Sequence, residues 1–371
     1  MNNKTGYALI VVLWLIVILT IIFVNLIEEA QLNSLLLRHN LQQRELKKAA
    51  VGGVLRGIDL LQEDKTRADT KTDKWTQTIR YRPYSNLICC VQISDIGSKL
   101  NINYASRQDL LRLQQLDWKK TDWNQLADKL VVENNLAAAQ AEKKIGMISH
   151  LVVLKREFKS SADYQQLEKV FTTYGGFNPN LHDQAAWYKL LFFVQEKLEL
   201  HTLTPSLITA SGAKLTANKH KQVSNNSYTT VPEFLEQVLA TNPSLREKIK
   251  PYLTVKKQIN INFTNQAVLQ LILSHLDQAQ LTTSYSQAAQ KIVDYCAQHP
   301  IKKLSQLDQI GVGMISQELA PYLTTQSRYL LITATAVNQQ TKQEQKVAAV
   351  VHKVRAEHDK IKVQIIEWQQ K

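Results

Sequence analysis

From Tyr7 to Ile27 the chain reads YALIVVLWLIVILTIIFVNLI, a stretch without charge in which Thr20 and Asn25 are the only clear polar interruptions. A helix of about 21 residues is about 30 Å long, the thickness of a bilayer's hydrocarbon core, so residues 7–27 are expected to be a transmembrane helix. A soluble core seldom calls for a helix that is apolar on every side. A secretory signal peptide has a shorter apolar run closed by a small-x-small cleavage pattern, and none closes this one, so the segment is expected to stay attached. Beyond Ile27 the pattern changes. Glu28 and Glu29 open a proline-free stretch with apolar residues at Leu32, Leu35, Leu36, Leu46, Ala49, Ala50, Val54, Ile58 and Leu61. Spacings of three and four trace one stripe, which predicts a single helix of roughly 50 residues running out of the membrane and into the soluble part, ending near Gln62.

Period-two, β-branched segments fall in two clusters: Trp75 to Arg82, Leu87 to Ser94 and Lys99 to Asn103, then Tyr329 to Val337, Val347 to Val354 and Ile361 to Trp368. Turn chemistry bounds them, as at Asp95-Ile96-Gly97. Between the clusters the periodicity is almost wholly helical. These observations predict an α+β fold in which an antiparallel sheet packs on the N-terminal helix and is interrupted by an inserted helical domain. The expected divisions are 28–104 for the helix and first strands, 105–325 for the insertion and 326–371 for the returning strands.

The insertion repeats itself. LNINYASRQDLL at Leu100 recurs as ININFTNQAVLQ at Ile259, and KIKPYLTV at Lys248 is echoed by ELAPYLTT at Glu318, with VFTTYGG at Val170 as a further echo. Two or more related helical units are therefore expected, each with an Asn placed to cap a following helix. Ser211 to Tyr228, rich in Asn and Lys, reads as a loop.

A formal net charge of +13 over 371 residues favours acidic partners, whether phosphate backbones, lipid headgroups or an acidic protein face, without choosing among them. Charge also leaves the topology open, because Lys4 on one flank of the apolar run is answered by Arg38, Arg44, Lys47 and Lys48 on the other. Cys89, Cys90 and Cys296 form no metal-ligand spacing; one of the vicinal pair is able to bridge to Cys296 in an oxidising compartment, and three buried thiols is the alternative. Enzyme signatures are missing. The nine histidines are scattered with no H-E-x-x-H, and there is no G-x-S-x-G, phosphate loop or G-x-G-x-x-G. Acid pairs such as Glu28-Glu29 and Glu63-Asp64 read as solvated helix faces.

The short leader ending in Gly6, followed at once by an apolar helix with an amphipathic continuation, resembles the type IV pilin and pseudopilin group. In that group a prepilin peptidase cuts after the glycine and methylates the new terminus, which here implies 1–6 as leader peptide and a cut between Gly6 and Tyr7. The group's glutamate at mature position five is replaced by Val11. A carboxylate among apolar helices needs a cation, which in such filaments is the terminal amine of the adjacent subunit, so a subunit with Val11 has no neighbour above to neutralise. Large size and the missing glutamate together resemble the K minor pseudopilin of the type II (general) secretion pathway. GYALIVVLWLIVILTII, VQISDIGSKLNINYASRQDLL and PYLTTQSRYLLITATAV are similar to that family's opening, middle and tail. The resemblance implies a non-enzymatic subunit at the tip of the pseudopilus, supporting export of folded proteins across the outer membrane. It implies a single-pass inner-membrane anchor with the N-terminus cytoplasmic and the soluble part periplasmic. The implied partners are other minor pseudopilins, the secretion inner-membrane platform, the prepilin peptidase and the lipid bilayer. It implies sterile-alpha-motif-like units in the insertion, and calcium as the one cofactor to be considered, with Glu357 and Asp359 in a plausible connection.

One rival reading comes from Ile301 to Leu319, IKKLSQLDQIGVGMISQEL, which resembles a helix-hairpin-helix. Its Gly311-Val312-Gly313 turn is able to aim backbone N–H groups at a phosphate beside Lys302 and Lys303, as in a membrane-anchored DNA-binding protein of an uptake system. A G-x-G turn is equally the tightest way to join two packed helices, and no aromatic-basic stripe accompanies it. Nucleic acid is accordingly the less favoured partner.

Overall fold

The computed structural model describes residues 4–105, 107–112, 127, 151–158, 161–178, 186–188, 190, 191, 194, 210–213, 228, 231–240, 243–250, 253, 254, 259–274, 276, 281, 283–313, 315–355 and 360–370. The amphipathic pattern that follows the apolar run produces one continuous helix, α1, Lys4–Gln62. At 1.5 Å per residue it is about 88 Å long. Its upper half carries the stripe inward: Leu46, Ala49, Ala50, Val54, Ile58 and Leu61 are all buried.

They are buried against a five-stranded antiparallel sheet of order β1-β2-β7-β8-β9. β1 is Ile79–Tyr84, β2 is Leu87–Asp95, β7 is Tyr329–Asn338, β8 is Glu344–Arg355 and β9 is Ile361–Gln370. Alternation sets the inner face: Cys89, Val91 and Ile93 of β2 and Leu330, Ile332, Ala334 and Ala336 of β7 all meet α1 in one core. The helix can lie this close because it presents glycine. A Cβ added to Gly53 would sit 2.7 Å from Cys89 Sγ and 2.8 Å from Ala334 Cβ, and one on Gly57 2.8 Å from Ile332 Cγ2.

β2 and β7 are neighbours although more than 200 residues separate them, so the insertion leaves and returns at one end of the sheet, with Asp95 opposite Leu330. That end lies beside the C-terminus of α1. At the opposite end the β7–β8 turn reaches down to α1, where Gln343 Nε2 meets His39 Nδ1 at 3.3 Å. The helical head is therefore carried at the end of the rod farthest from its apolar segment.

Within the head a local device recurs. In the first unit β3 (Leu100–Asn101) pairs in parallel with β4 (Phe171–Thr172), and in the last β5 (Ile259–Asn260) pairs in parallel with β6 (Leu323–Thr324). Asn101 Oδ1 accepts from Asn103 N and Asn260 Oδ1 from Asn262 N, both at 3.0 Å. Thr172 Oγ1 accepts from Tyr174 N and Thr324 Oγ1 from Gln326 N, both at 3.2 Å. A parallel bridge between Phe177 and Leu253 marks a middle unit of the same kind. In the outer units the N–H groups of Ile102 and Ile261 donate to Thr172 O and Thr324 O. The first and last units share one core. The middle one has its own, built on Phe177, Trp187 and Phe234.

Several expectations are corrected. Trp75 belongs to a 3-10 turn, Lys74–Thr76, and is buried under the sheet rather than starting a strand. Leu100–Asn101 pairs inside the head and adds nothing to the main sheet. The two ends of the Ser211–Tyr228 stretch are packed: Ser211 is buried and its Oγ accepts from Trp187 Nε1, and Tyr228 is buried against Phe234. Residues 214–227 lie outside the described residues. Of the two readings left open for the cysteines, the structure has three free thiols, with Cys89 and Cys296 in separate cores.

Candidate functional site

Two features separate this molecule from an ordinary globular domain. The first is the lower half of α1. It is long and apolar enough to cross a membrane, with a mean hydropathy of 2.3 over its most apolar window and none of that window buried. The bare surface continues past the expected span, since Leu35 is 64% exposed and Leu37 60%. From Val12 to Leu37 nothing among the described residues covers the helix, a free length of about 39 Å. Gly6, Tyr7 and Val11 lie in the first turns of the same helix, where only the backbone is described.

The second feature is the polar joint between sheet and head. Lys353 falls on the inward side of β8, where apolar residues otherwise alternate. Its Nζ donates to Asp64 Oδ2 at 2.7 Å and to Asp69 Oδ1 at 2.6 Å, with all three side chains buried. Nζ also stands 5.8 Å from the centroid of the Trp75 ring. Asp69 is held further by Ser327 N at 2.6 Å, and its carbonyl accepts from Asn260 Nδ2 and Asn262 Nδ2, both at 3.1 Å. Asn262 also exchanges two bonds with the Ile301 backbone. Asp95, half-buried at the end of β2, accepts from Ser98 N, Ser98 Oγ and Ser327 Oγ. One network thus ties the segment after α1, both strands flanking the insertion, and the Asn turn of the last unit.

Two carboxylates share one ammonium, and their environments pull them apart. Burial raises the pKa of the deeper Asp69 to about 6, against the opposing pull of Lys353. For Asp64, burial raises the pKa, but bonds from Lys353 and Thr66 outweigh it and hold the carboxyl down at about 2. Burial also raises Asp95.

Asp64, Asp69 and Asp73 bring carboxylate oxygens within 4.8 Å of one another, the kind of donor set a calcium ion takes. They do not fit one here. The ammonium of Lys353 already stands between two of the three, and Asp73 spends its oxygens on Thr70 N and Oγ1. Glu357 and Asp359 lie outside the described residues. The solvated reading of Asp64 is corrected as well. The signal available in the sequence was a lone Lys on the inward period of VAAVVHKV, which demands buried acids as partners.

The Gly311-Val312-Gly313 turn is as tight as its sequence suggests. Gly311 and Gly313 have φ of 78° and 122°, in the left-handed region, and Val312 between them is fully buried. The helix that follows, Ser316–Leu319, is one turn long. Its first N–H is taken: Asp308 accepts from Ser316 N at 2.9 Å and from Ser316 Oγ at 2.6 Å. A carboxylate therefore caps the first N–H of the helix that follows the turn.

No protein-family model matches the chain, and no curated protein does. Among solved structures it is similar to the GspK-GspI-GspJ complex of the type 2 secretion system of enterotoxigenic Escherichia coli, at 11% identity and a TM-score of 0.33, covering 90% of this chain and 99% of that one.

Proposed function

We propose that this chain is a minor pseudopilin of a type II secretion machine, standing at the tip of a short filament and acting by assembly and not by catalysis. The observation that carries the reading is the placement of the head at the far end of a bare apolar rod. Helices of other subunits have about 39 Å of uncovered α1 to pack against, while the three-unit head lies across the end where a further subunit would stack. Val11, in place of a carboxylate, agrees with a position that has no subunit above it. On this reading residues 7–27 anchor the protein in the inner membrane with the N-terminus cytoplasmic and the head periplasmic. Its partners are then other minor pseudopilins, the inner-membrane platform and the prepilin peptidase, and it supports export of folded proteins across the outer membrane.

The intact mass of the protein purified from membranes tests this. Processing removes residues 1–6 and adds one methyl group to Tyr7. A full-length, unmethylated mass would turn the reading towards a plain membrane tether. The helix-hairpin-helix alternative predicts binding of duplex DNA at the Gly311 turn, where Asp308 presents negative charge.

A further inference from the structure

The polar joint leaves one cation unanswered. Arg328 ends the connector between the last unit and β7, and it lines a cavity of about 80 Å3 together with Asp69, Gln326, Ser327, Lys353 and Arg355. The neighbouring cations are engaged: Lys353 by Asp64 and Asp69, and Arg355 through Nη2 to Thr66 O. Among the described residues no carboxylate or hydrogen-bond acceptor meets the Arg328 guanidinium. Burial pulls its pKa down, with Tyr329 the one group opposing. Half-buried and without an anion, this guanidinium lacks part of its hydration, and its planar fork suits the two oxygens of a carboxylate.

We propose that this cavity is a carboxylate-binding site with Arg328 as its principal ligand. A monoanion is favoured over a dianion because Asp69 stands on the same wall, and Asp64 and Asp73 lie within 4.8 Å of it, so a doubly charged phosphate would meet more repulsion than attraction. Gln326 and Ser327 line the same cavity, with Ser327 N and Oγ and Gln326 Nε2 already engaged by Asp69, Asp95 and Arg67 O, which leaves Arg328 as the free donor. The carboxylate comes either from an acidic side chain of a neighbouring protein chain or from a free small acid. The site stands on the joint alone and does not depend on the secretion reading.

The test is modification of arginine by phenylglyoxal in the full chain purified in detergent, followed residue by residue by peptide mass spectrometry. Exposed Arg80 is the internal reference. Saturating acetate should slow modification of Arg328 by roughly fivefold or more relative to chloride at equal ionic strength, with Arg80 unchanged. Equal rates in the two salts, equal slowing at both arginines, or an Arg328 that does not react in chloride would overturn the proposal. The same measurement on membranes identifies the source. Protection already present without added acid, and unaltered by acetate, assigns the carboxylate to a neighbouring chain. Protection that appears only with acetate assigns it to a free acid.

Discussion

The molecule is held together by two joints built on opposite physics. Between α1 and the sheet, contact is dry and close: Ala49, Ala50, Gly53 and Gly57 let the helix settle onto Cys89, Val91, Ile332 and Ala334. Between sheet and head, a lysine, three aspartates, two serines and two asparagines meet through directional bonds. The dry joint depends on volume and is indifferent to protons. The polar joint fixes orientation, since each bond has one geometry, and it is exposed to any change in charge balance. A rod that resists sliding and a head that must face one way call for these two solutions respectively.

The largest effect is expected where the polar joint loses its only shared cation. Lys353→Met keeps the stem but leaves Asp64 and Asp69 buried and unneutralised, which should cost about 3–5 kcal/mol. Urea unfolding at pH 7 measures it. A loss below about 1 kcal/mol would mean that the network is a passive surface feature.

The dry joint breaks through size instead. Gly53→Leu drives a side chain into Cys89 Sγ and Ala334 Cβ, at a cost of about 3 kcal/mol. The gain in helix propensity, at most about 1 kcal/mol, is too small to offset it. The loss should be the same at pH 5 and pH 8, which separates it from any change at the polar joint.

The sequence reveals the dry joint far better than the polar one. A period of 3.6 in α1 and of two in the strands marks Leu46, Val54, Ile58, Leu61, Val91, Ile93 and Ile332 as facing residues, and from these the α+β class follows. The same period says nothing about what covers a stripe. Leu32, Leu35 and Leu36 continue it and yet are bare, at 58%, 64% and 53% exposure, because none of the described residues reaches them. Polar residues carry no period at all. Asp64 looks like the solvated end of a helix, and only a contact 289 residues away at Lys353 makes it a core residue. The repeat was legible because Asn101 and Asn260 recur in one context, although they close turns and the helix cap expected of the repeat falls to Asn265, whereas Asp69 and Arg328 occur once and gave no pattern to read.

A third effect, of about 2 kcal/mol, should appear on titration. Asp69 has its folded pKa raised to about 6. The folded protein therefore binds this proton more readily than the unfolded chain does. Its contribution favours folding most below the unfolded value near 4 and is lost as pH rises through 6. Asp64 runs the other way. With its folded pKa near 2, it contributes stability above pH 4 that disappears as pH falls towards 2. Wild type should accordingly gain stability from pH 7 down to about 4.5 and lose it below. Asp69→Asn should flatten the upper limb, read as the difference between the two stability curves, since Asp95 titrates in the same direction in both proteins. An unchanged upper limb would place the titration elsewhere.

The smallest effect sharpens the comparison by moving the same chemistry to the surface. Asp308 and Ser316 repeat the carboxylate-to-serine bond of the buried joint, with both the N–H and the hydroxyl donating. Bonds from Ser316 hold the Asp308 carboxyl below the usual range, but water stands ready to replace them. Asp308→Ala should therefore cost only about 1 kcal/mol, the worth of an ordinary helix cap, and the loss should shrink as acid protonates the wild-type carboxylate, at a pH below the usual carboxylate range. If it costs as much as Lys353→Met, burial is not what makes the sheet–head joint strong, and the number of bonds per carboxylate would have to replace desolvation as the explanation.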